Sequence, residues 1–366
     1  MLIAAHDEAH SIVATLVALK AQYRKPDRIV VAADNCTDDT VALARQVGGV
    51  TVFETKDNAH RKSGALNQAW RRFAQRAEIV VSLDADTILD PTAIGDWEAE
   101  FHANPVLGGC GSKATFLTND TMTWREKLLV RLQRSEFAKW NDIALRRGRG
   151  TNVLAGTACA LNNDALKEVM QRTGRHAPWS TTSMVEDFEL TYRIRELGWQ
   201  AKISATVRAY TDGMTNLRSL WAQRMKWQTG TVEDLMQFGL NKRTRFDWWQ
   251  QLQGLLVIGM RLGWVALVAV AVFYGVWRWQ PLFFVPPAVF VANEVKQARR
   301  IPLADRGDIA VAALMIPNEL FGYMRAGWFT ASWTKVLVRR IFGIAYADGW
   351  DRQARAESTR SIYAKP

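Results

Sequence analysis

Through the first two hundred residues, short apolar runs alternate with segments whose apolar positions recur every three or four residues. Met1 to Ala5, Arg28 to Ala33, Val50 to Glu54 and Ile79-Val80-Val81-Ser82-Leu83 read as strands. Between them, Glu8 to Leu19 places Ile12, Leu16 and Leu19 on one helical face. Thr40 to Val47 and Ser63 to Ala77 read as further helices. This βαβα order predicts a parallel sheet with helices on both faces. Beyond it the pattern predicts a helix opened by Asp90-Pro91, a strand over Val106 to Thr115 and a long helix over Thr123 to Leu145. The basic loop Arg146 to Gly150 closes that helix. A strand over Val153 to Leu161 with Gly156 inside it, a helix within Thr181 to Leu197 and a strand over Ala201 to Tyr210 complete this half.

Past Asp247 the pattern changes. Leu262 to Trp277 carries no charge, and Leu252 to Leu262 is interrupted only by Arg261. Together they suffice to cross a hydrocarbon core of roughly 30 Å. Leu282 to Ala292 is shorter and holds Pro286-Pro287; Ile309 to Trp333 embeds Glu319 and Arg325. The expectation is a transmembrane helix, a returning span, and a third segment that spans or lies in the interface. Buried core helices are the competing reading. Lys242-Arg243-Arg245 and Lys296-Arg299-Arg300 flank the first two segments, which puts both ends of a hairpin on the cytoplasmic side. The expected division is a catalytic domain over 1–240 and a helical membrane-associated region over 241–366.

Composition sharpens this picture. Of 366 residues, 48% are hydrophobic and 23% charged, so a sizeable core is available. A net charge of +11 calls for an anionic partner. The basic residues cluster beside apolar segments and not along one recognition helix, so a phosphorylated substrate and a membrane are expected and nucleic acid is not. Cys36, Cys110 and Cys159 have no metal-ligand spacing, as suits a reducing compartment. The 16 tryptophans crowd into the second half, which again suits a membrane interface. His6, Asp7 and Glu8 arrive before any apolar stretch, unlike a secretory signal.

The candidate chemistry lies at strand ends. Asp84-Ala85-Asp86 follows the apolar run 79–83, at the carboxyl edge where open α/β sheets bind ligands. Two acids so placed suit a divalent ion carrying a diphosphate; otherwise they form a solvated turn. Asp34 ends an earlier strand, where it can accept from a nucleobase imide or a ribose hydroxyl, or simply shape a turn with Asn35. Lys62 precedes Gly64 at a helix start, a place for phosphate or for a surface charge. Glu186-Asp187 opens a helix as a candidate general base or as dipole complementarity. Gln223-Arg224-Met225-Lys226-Trp227 joins amide, cation and indole, for a departing diphosphate and a sugar face or for a membrane surface.

The ordered set Ala5-His6-Asp7-Glu8, Asp34-Asn35-Cys36-Thr37-Asp38, Lys62-Ser63-Gly64-Ala65-Leu66-Asn67, Asp84-Ala85-Asp86, Gly156-Thr157, Glu186-Asp187 and QRMKW resembles family 2 glycosyltransferases. It is most similar to the membrane-bound synthases of poly-N-acetylglucosamine, hyaluronan and cellulose. The resemblance implies an α/β GT-A fold, a nucleotide-sugar donor (usually UDP-linked), Mg²⁺ or Mn²⁺, and inversion at the anomeric carbon. It implies that Ala5, His6, Glu8 and Asp34 line the nucleoside pocket, that Lys62 approaches the diphosphate and Asp84 the ribose or diphosphate, and that Asp86 holds the metal. It makes Asp187 the base. Gly156, Thr157, Glu186, Gln223, Arg224, Lys226 and Trp227 fall to the acceptor and leaving-group side. The acceptor would be a glycan, lipid or protein hydroxyl, and the place a cytoplasmic membrane face. Two positions depart from the pattern: Asp7 stands for the usual Asn, and Lys226 for the usual Arg, a point charge in place of a planar fork. A nucleotidyltransferase on a similar sheet and a basic nucleic-acid- or membrane-binding module are the alternatives.

Overall fold

A computed structural model describes residues 1–276, 278, 280–343 and 353. Two compact units emerge: Met1–Asn119 with Glu136–Gly213, and Asp120–Ser135 with the residues from Met214 onward.

The first unit is a sheet of eight strands. β1 (Leu2–Ala5), α1 (Ile12–Lys20), β2 (Val30–Ala33), α2 (Thr40–Val47), β3 (Thr51–Glu54), α3 (Arg61–Ala69) and β4 (Ile79–Asp84) follow in order. β1 to β4 pair in parallel in the sequence β3-β2-β1-β4, so Ala33 and Glu54 end level with Ala5, and Asp84 level with Ala4. Next come β5 (Ile88–Leu89), α4 (Ala93–Ala103), β6 (Leu107–Leu117), α5 (Trp124–Arg146), β7 (Ala158–Asn162), α6 (Asn163–Thr173), α7 (Glu186–Glu196) and β8 (Gln200–Asp212). The strictly parallel sheet expected from the alternation does not hold beyond β4. β7 runs antiparallel to both β4 and β6, with Val81 opposite Ala160. The chain re-enters the sheet at its carboxyl edge, where the Asp84 N–H donates to the Thr157 carbonyl at 3.0 Å. That reversal brings the Gly156-Thr157 turn beside the strand-end acids. The expected strand over 153–161 is accordingly shorter. The Leu154 N–H is taken by Thr191 Oγ1 (2.8 Å) and the Gly156 N–H by Asp187, so neither joins a ladder.

Alternation along the strands feeds two cores. Ile3, Val31, Val81 and Leu83 face α1 and α4, whose Ile12, Leu16 and Trp97 are fully buried. Leu2, Val30, Ala32 and Val80 face α3, α6 and α7 through Leu66, Leu166 and Ile194. The expected helix over 63–77 is α-helical only to Ala69 and then opens into a π turn, Trp70–Ala74. Asn163 closes the carbonyls that this turn leaves open. Its amide donates to Ala74 (3.1 Å), Gln75 (3.0 Å) and Ala77 (2.7 Å), and its Oδ1 accepts from the Trp70 indole (2.8 Å).

In the second unit, α8 (Leu217–Phe238) is followed by α9 (Arg245–Phe273), α10 (Val285–Ala298), α11 (Arg306–Ala313) and α12 (Met315–Phe342). α9 joins the two apolar stretches into one helix of 29 residues. It is the one helix among the described residues long and apolar enough to cross a membrane; its best 18-residue window has a mean hydropathy of 2.3 and none of it is buried. Trp277, the end of the expected first span, lies outside the described residues. The second apolar segment becomes a short 3₁₀ turn leading into α10, with Pro286-Pro287 in the first turn, where no intrahelical N–H is needed. The third breaks at Leu314, and Pro317 falls in the restarted first turn of α12. α9 and α12 pair through Arg261 Nη1 and Glu319 Oε2 at 2.6 Å, against Gly322, whose added Cβ would lie 2.7 Å from the guanidinium.

Asn163→Ala removes the amide partner of the Gln75 and Ala77 carbonyls and of the buried Trp70 indole N–H, so thermal unfolding should show a loss of about 1–3 kcal/mol. An unchanged midpoint would contradict the role given to this amide.

Candidate active site

Lys62 is the junction of the site. It lies in the first turn of α3, its side chain 19% exposed. Its Nζ forms an ion pair with Asp84 Oδ1 and donates to the Gly156 carbonyl at 3.2 Å. The Gly156 N–H in turn donates to Asp187 Oδ2 at 3.1 Å. One glycine, through its N–H and its carbonyl, therefore ties the lysine to the helix-start carboxylate. Burial alone would lower the ammonium pKa; the charges of Asp84, Glu186 and Asp187 outweigh it, and the net shift is upward. A Cβ on Gly156 would stand 2.8 Å from Lys62 Nζ and 3.8 Å from Asp187 Oδ2, so a side chain there would displace the ammonium. Asp187 Oδ1 also accepts from the Phe188 N–H at 2.8 Å at the start of α7.

On the other side of Asp84, Glu8 feels the charge of Asp86. Burial first, then Asp84 and Asp212, push the Asp86 carboxyl up to about 6. Burial first, then Asp86, push Glu8 up to about 8, although Ser11 Oγ donates to it at 2.9 Å. His10 Nε2 lies 3.8 Å from Glu8 Oε2 and 3.9 Å from Asp212 Oδ2. No Lys or Arg pairs with Asp86 among the described residues. Buried carboxyls crowded by like charge are the donor set a hard divalent ion fits. A tighter trio exists in Asp7, Cys36 and Asp38, whose ligand atoms lie within 4.8 Å of one another. It is the poorer candidate, because its oxygens are already engaged. Asp7 accepts from the Thr37 N–H and hydroxyl and the Asp38 N–H; Asp38 accepts from the Ala9 and Thr40 N–H groups.

Asp34 forms a second focus two strands from Asp84. Its Oδ1 accepts from Thr55 Oγ1 (2.7 Å), Asn58 Nδ2 (2.7 Å) and Asn35 Nδ2 (3.2 Å). The His6 ring lies 2.6 Å from the Asp34 carbonyl, and the Ala5 carbonyl accepts from the Asp34 N–H at 2.8 Å.

Thus Glu8, Lys62, Asp84, Asp86, Gly156, Thr157, Glu186 and Asp187 gather around one strand end, with Ala5, His6 and Asp34 beside them. Gln223, Arg224, Lys226 and Trp227 lie on α8 in the second unit. There Arg224 stacks 4.3 Å from the Trp227 ring centroid and donates to Gln223 Oε1 at 2.7 Å, and Lys226 is 6% exposed. Reading the sequence missed His10, Thr55, Asn58 and Asp212. Asp212 had a signal, since it ends a strand as Asp34 and Asp84 do. Thr55 and Asn58 had none, because they act through another side chain.

The structure is a mixed α/β sheet with acids and a half-buried lysine at the carboxyl edge of its parallel strands. The sequence pattern of the family described as "Glycosyltransferase like family 2" matches residues 1–230, and the chain belongs to that family. Poly-beta-1,6-N-acetyl-D-glucosamine synthase from Staphylococcus aureus (strain COL) is 24% identical over 252 residues, covering 67% of this chain and 58% of the relative. The synthase of the same name from Staphylococcus epidermidis is 23% identical over 240 residues, covering 64% and 55%. The chain thus spans little more than half the length of these relatives. Among solved structures, the mannosyltransferase PcManGT from Pyrobaculum calidifontis, in complex with GDP-Man and Mn²⁺, shares the fold. The TM-score is 0.56 at 18% identity, over 92% of this chain and 86% of that one.

Asp86 and Glu8 retain protons in the folded chain where the unfolded chain, with values near 3.8 and 4.5, has lost them. Their contribution to stability is complete below about pH 4 and is lost as pH rises to about 6 for Asp86 and about 8 for Glu8. Without added metal, Glu8→Gln should therefore gain in melting temperature over the parent protein as pH rises from 5 to 8, and level off above. A constant gap across that range would mean Glu8 titrates normally.

Proposed function

We propose that this chain transfers a hexose, with inversion, from a nucleoside diphosphate sugar, UDP-linked as in the family's pattern, to a hydroxyl of a glycan, lipid or protein. The observation that carries this reading is the Lys62 junction, one half-buried ammonium shared by Asp84 and the glycine that holds Asp187. A transferase that breaks a sugar–diphosphate bond needs a cation where the diphosphate leaves and a base where the acceptor arrives. Here one turn of backbone separates the two.

Asp187 is the general base. Its Oδ2 and Oδ1 each accept one backbone N–H, which fixes the carboxylate and leaves further lone pairs for an acceptor O–H. A base so placed contributes about 10²- to 10⁴-fold. Lys62 offsets charge as the nucleoside diphosphate departs, and Asp34 accepts from the base. Asp86, with Asp84 and Glu8 near it, would hold Mg²⁺ or Mn²⁺, which supplies charge neutralisation on the leaving diphosphate. The Mn²⁺ and GDP-Man named with PcManGT support that choice of partners. With a cation at the leaving group, no second protein carboxyl is required as acid. Arg224, Lys226 and Trp227 serve the acceptor and leaving-group side. The relatives' name makes an N-acetylglucosamine-bearing glycan the first acceptor to try. The exposed apolar length of α9 and the basic residues before it support attachment to a membrane with the catalytic unit on the cytoplasmic side.

The test is nucleotide release from a panel of UDP-, GDP- and dTDP-sugars with Mn²⁺. Asp187→Asn should cut transfer at least 100-fold with donor affinity retained, and Asp86→Ala should weaken donor binding only when metal is present. Unimpaired transfer by Asp187→Asn removes the base assignment; release of pyrophosphate in place of a nucleoside diphosphate removes the reaction class.

A further inference from the structure

We propose that Asn58 and Thr55 are the residues that set the nucleobase preference of this enzyme, by committing one oxygen of Asp34 and leaving the other for a base that carries a ring N–H. The inference rests on the reading of Asp34 as the base-binding acid. An ionised carboxylate is acceptor-only, with two oxygens to offer. All three donors that reach Asp34, from Thr55, Asn58 and Asn35, go to Oδ1. No described donor reaches Oδ2. Asp34 is 5% exposed, so its carboxylate has little water to turn into and its orientation is set by those donors.

Asn58 is itself fixed in three ways. Its Nδ2 donates also to the Arg61 carbonyl at 2.8 Å, and its Oδ1 accepts from the His60 N–H at 3.0 Å. Gly64 closes over it: an added Cβ there would fall 1.9 Å from Asn58 Oδ1. The amide therefore cannot flip to present its oxygen to Asp34, and the same turn that carries it continues into Lys62. The single acceptor left at Oδ2 suits uracil, whose N3–H donates, or guanine, whose N1–H donates. Adenine and cytosine present an unprotonated ring nitrogen at the equivalent edge, and two acceptors then face each other with no proton between them. Desolvating such an unmatched pair is what gives hydrogen-bonding sites their discrimination.

The test uses the full chain and two probes, UDP and ADP, each with Mg²⁺, measured by calorimetry. The unaltered protein should prefer UDP. Asn58→Ala and Thr55→Val should each weaken UDP about 10-fold or more, the loss of one hydrogen bond to a charged group, and leave ADP unchanged. The UDP-over-ADP preference then shrinks by the same factor. Thr55→Ser, which keeps the hydroxyl, should restore it. With a transferable UDP-sugar, KM for the donor should rise while kcat holds. Equal weakening of UDP and ADP, or no weakening of either, overturns the proposal while donor transfer by the unaltered protein keeps the site reading intact. Failure of the unaltered protein to bind UDP or any nucleotide sugar overturns both.

Discussion

The first unit turns on one electrostatic problem: several carboxylates converge on the end of β4, and one ammonium answers part of their charge. Asp84, Glu186 and Asp187 together keep Lys62 protonated in a place that burial would otherwise make hostile to it. Removing such an ammonium would leave uncompensated negative charge in a partly desolvated cleft, a far larger penalty than the modest worth of an exposed pair. No Lys or Arg pairs with the remaining acids, Asp86 and Glu8, among the described residues, and burial followed by like charge raises their pKa values. A divalent ion there would relieve both effects.

The fold serves this arrangement through a single departure from regularity. Four parallel strands put Ala5, Asp34 and Asp84 on one edge by simple register. The reversal at β7 then drives Gly156-Thr157 into that edge from the opposite direction. A fifth parallel strand would have carried this turn to the opposite edge of the sheet and left Asp187 with no glycine joining it to Lys62. Strands kept for packing and a turn kept for chemistry meet at Asp84, whose N–H is in the ladder while its carboxylate is in the site.

The sequence pattern over residues 1–230 places the chain in its family, and the solved neighbour shares its fold; the helices beyond residue 230 lie outside that pattern. α9 holds a long apolar stretch, yet it carries Arg261, which Glu319 of α12 neutralises at 2.6 Å. A charge in so apolar a stretch is costly unless paired, and Glu319 supplies the pair.

Local rules acting on the sequence determined most of the scaffold. Apolar alternation, helical periodicity and strand-end acids located β1 to β4, the acid pair at 84 and 86, Lys62 and Asp187, because each is a short-range pattern with a short-range cause. Tertiary structure alone decided the direction of β7 and the π turn that Asn163 closes, since each answers to hydrogen bonds between residues distant in the chain. The same holds for Thr55, Asn58 and His10. Their importance lies in which side chain they touch, and no periodicity or composition encodes a contact between a turn and a strand end that only folding brings within 3 Å or so of each other.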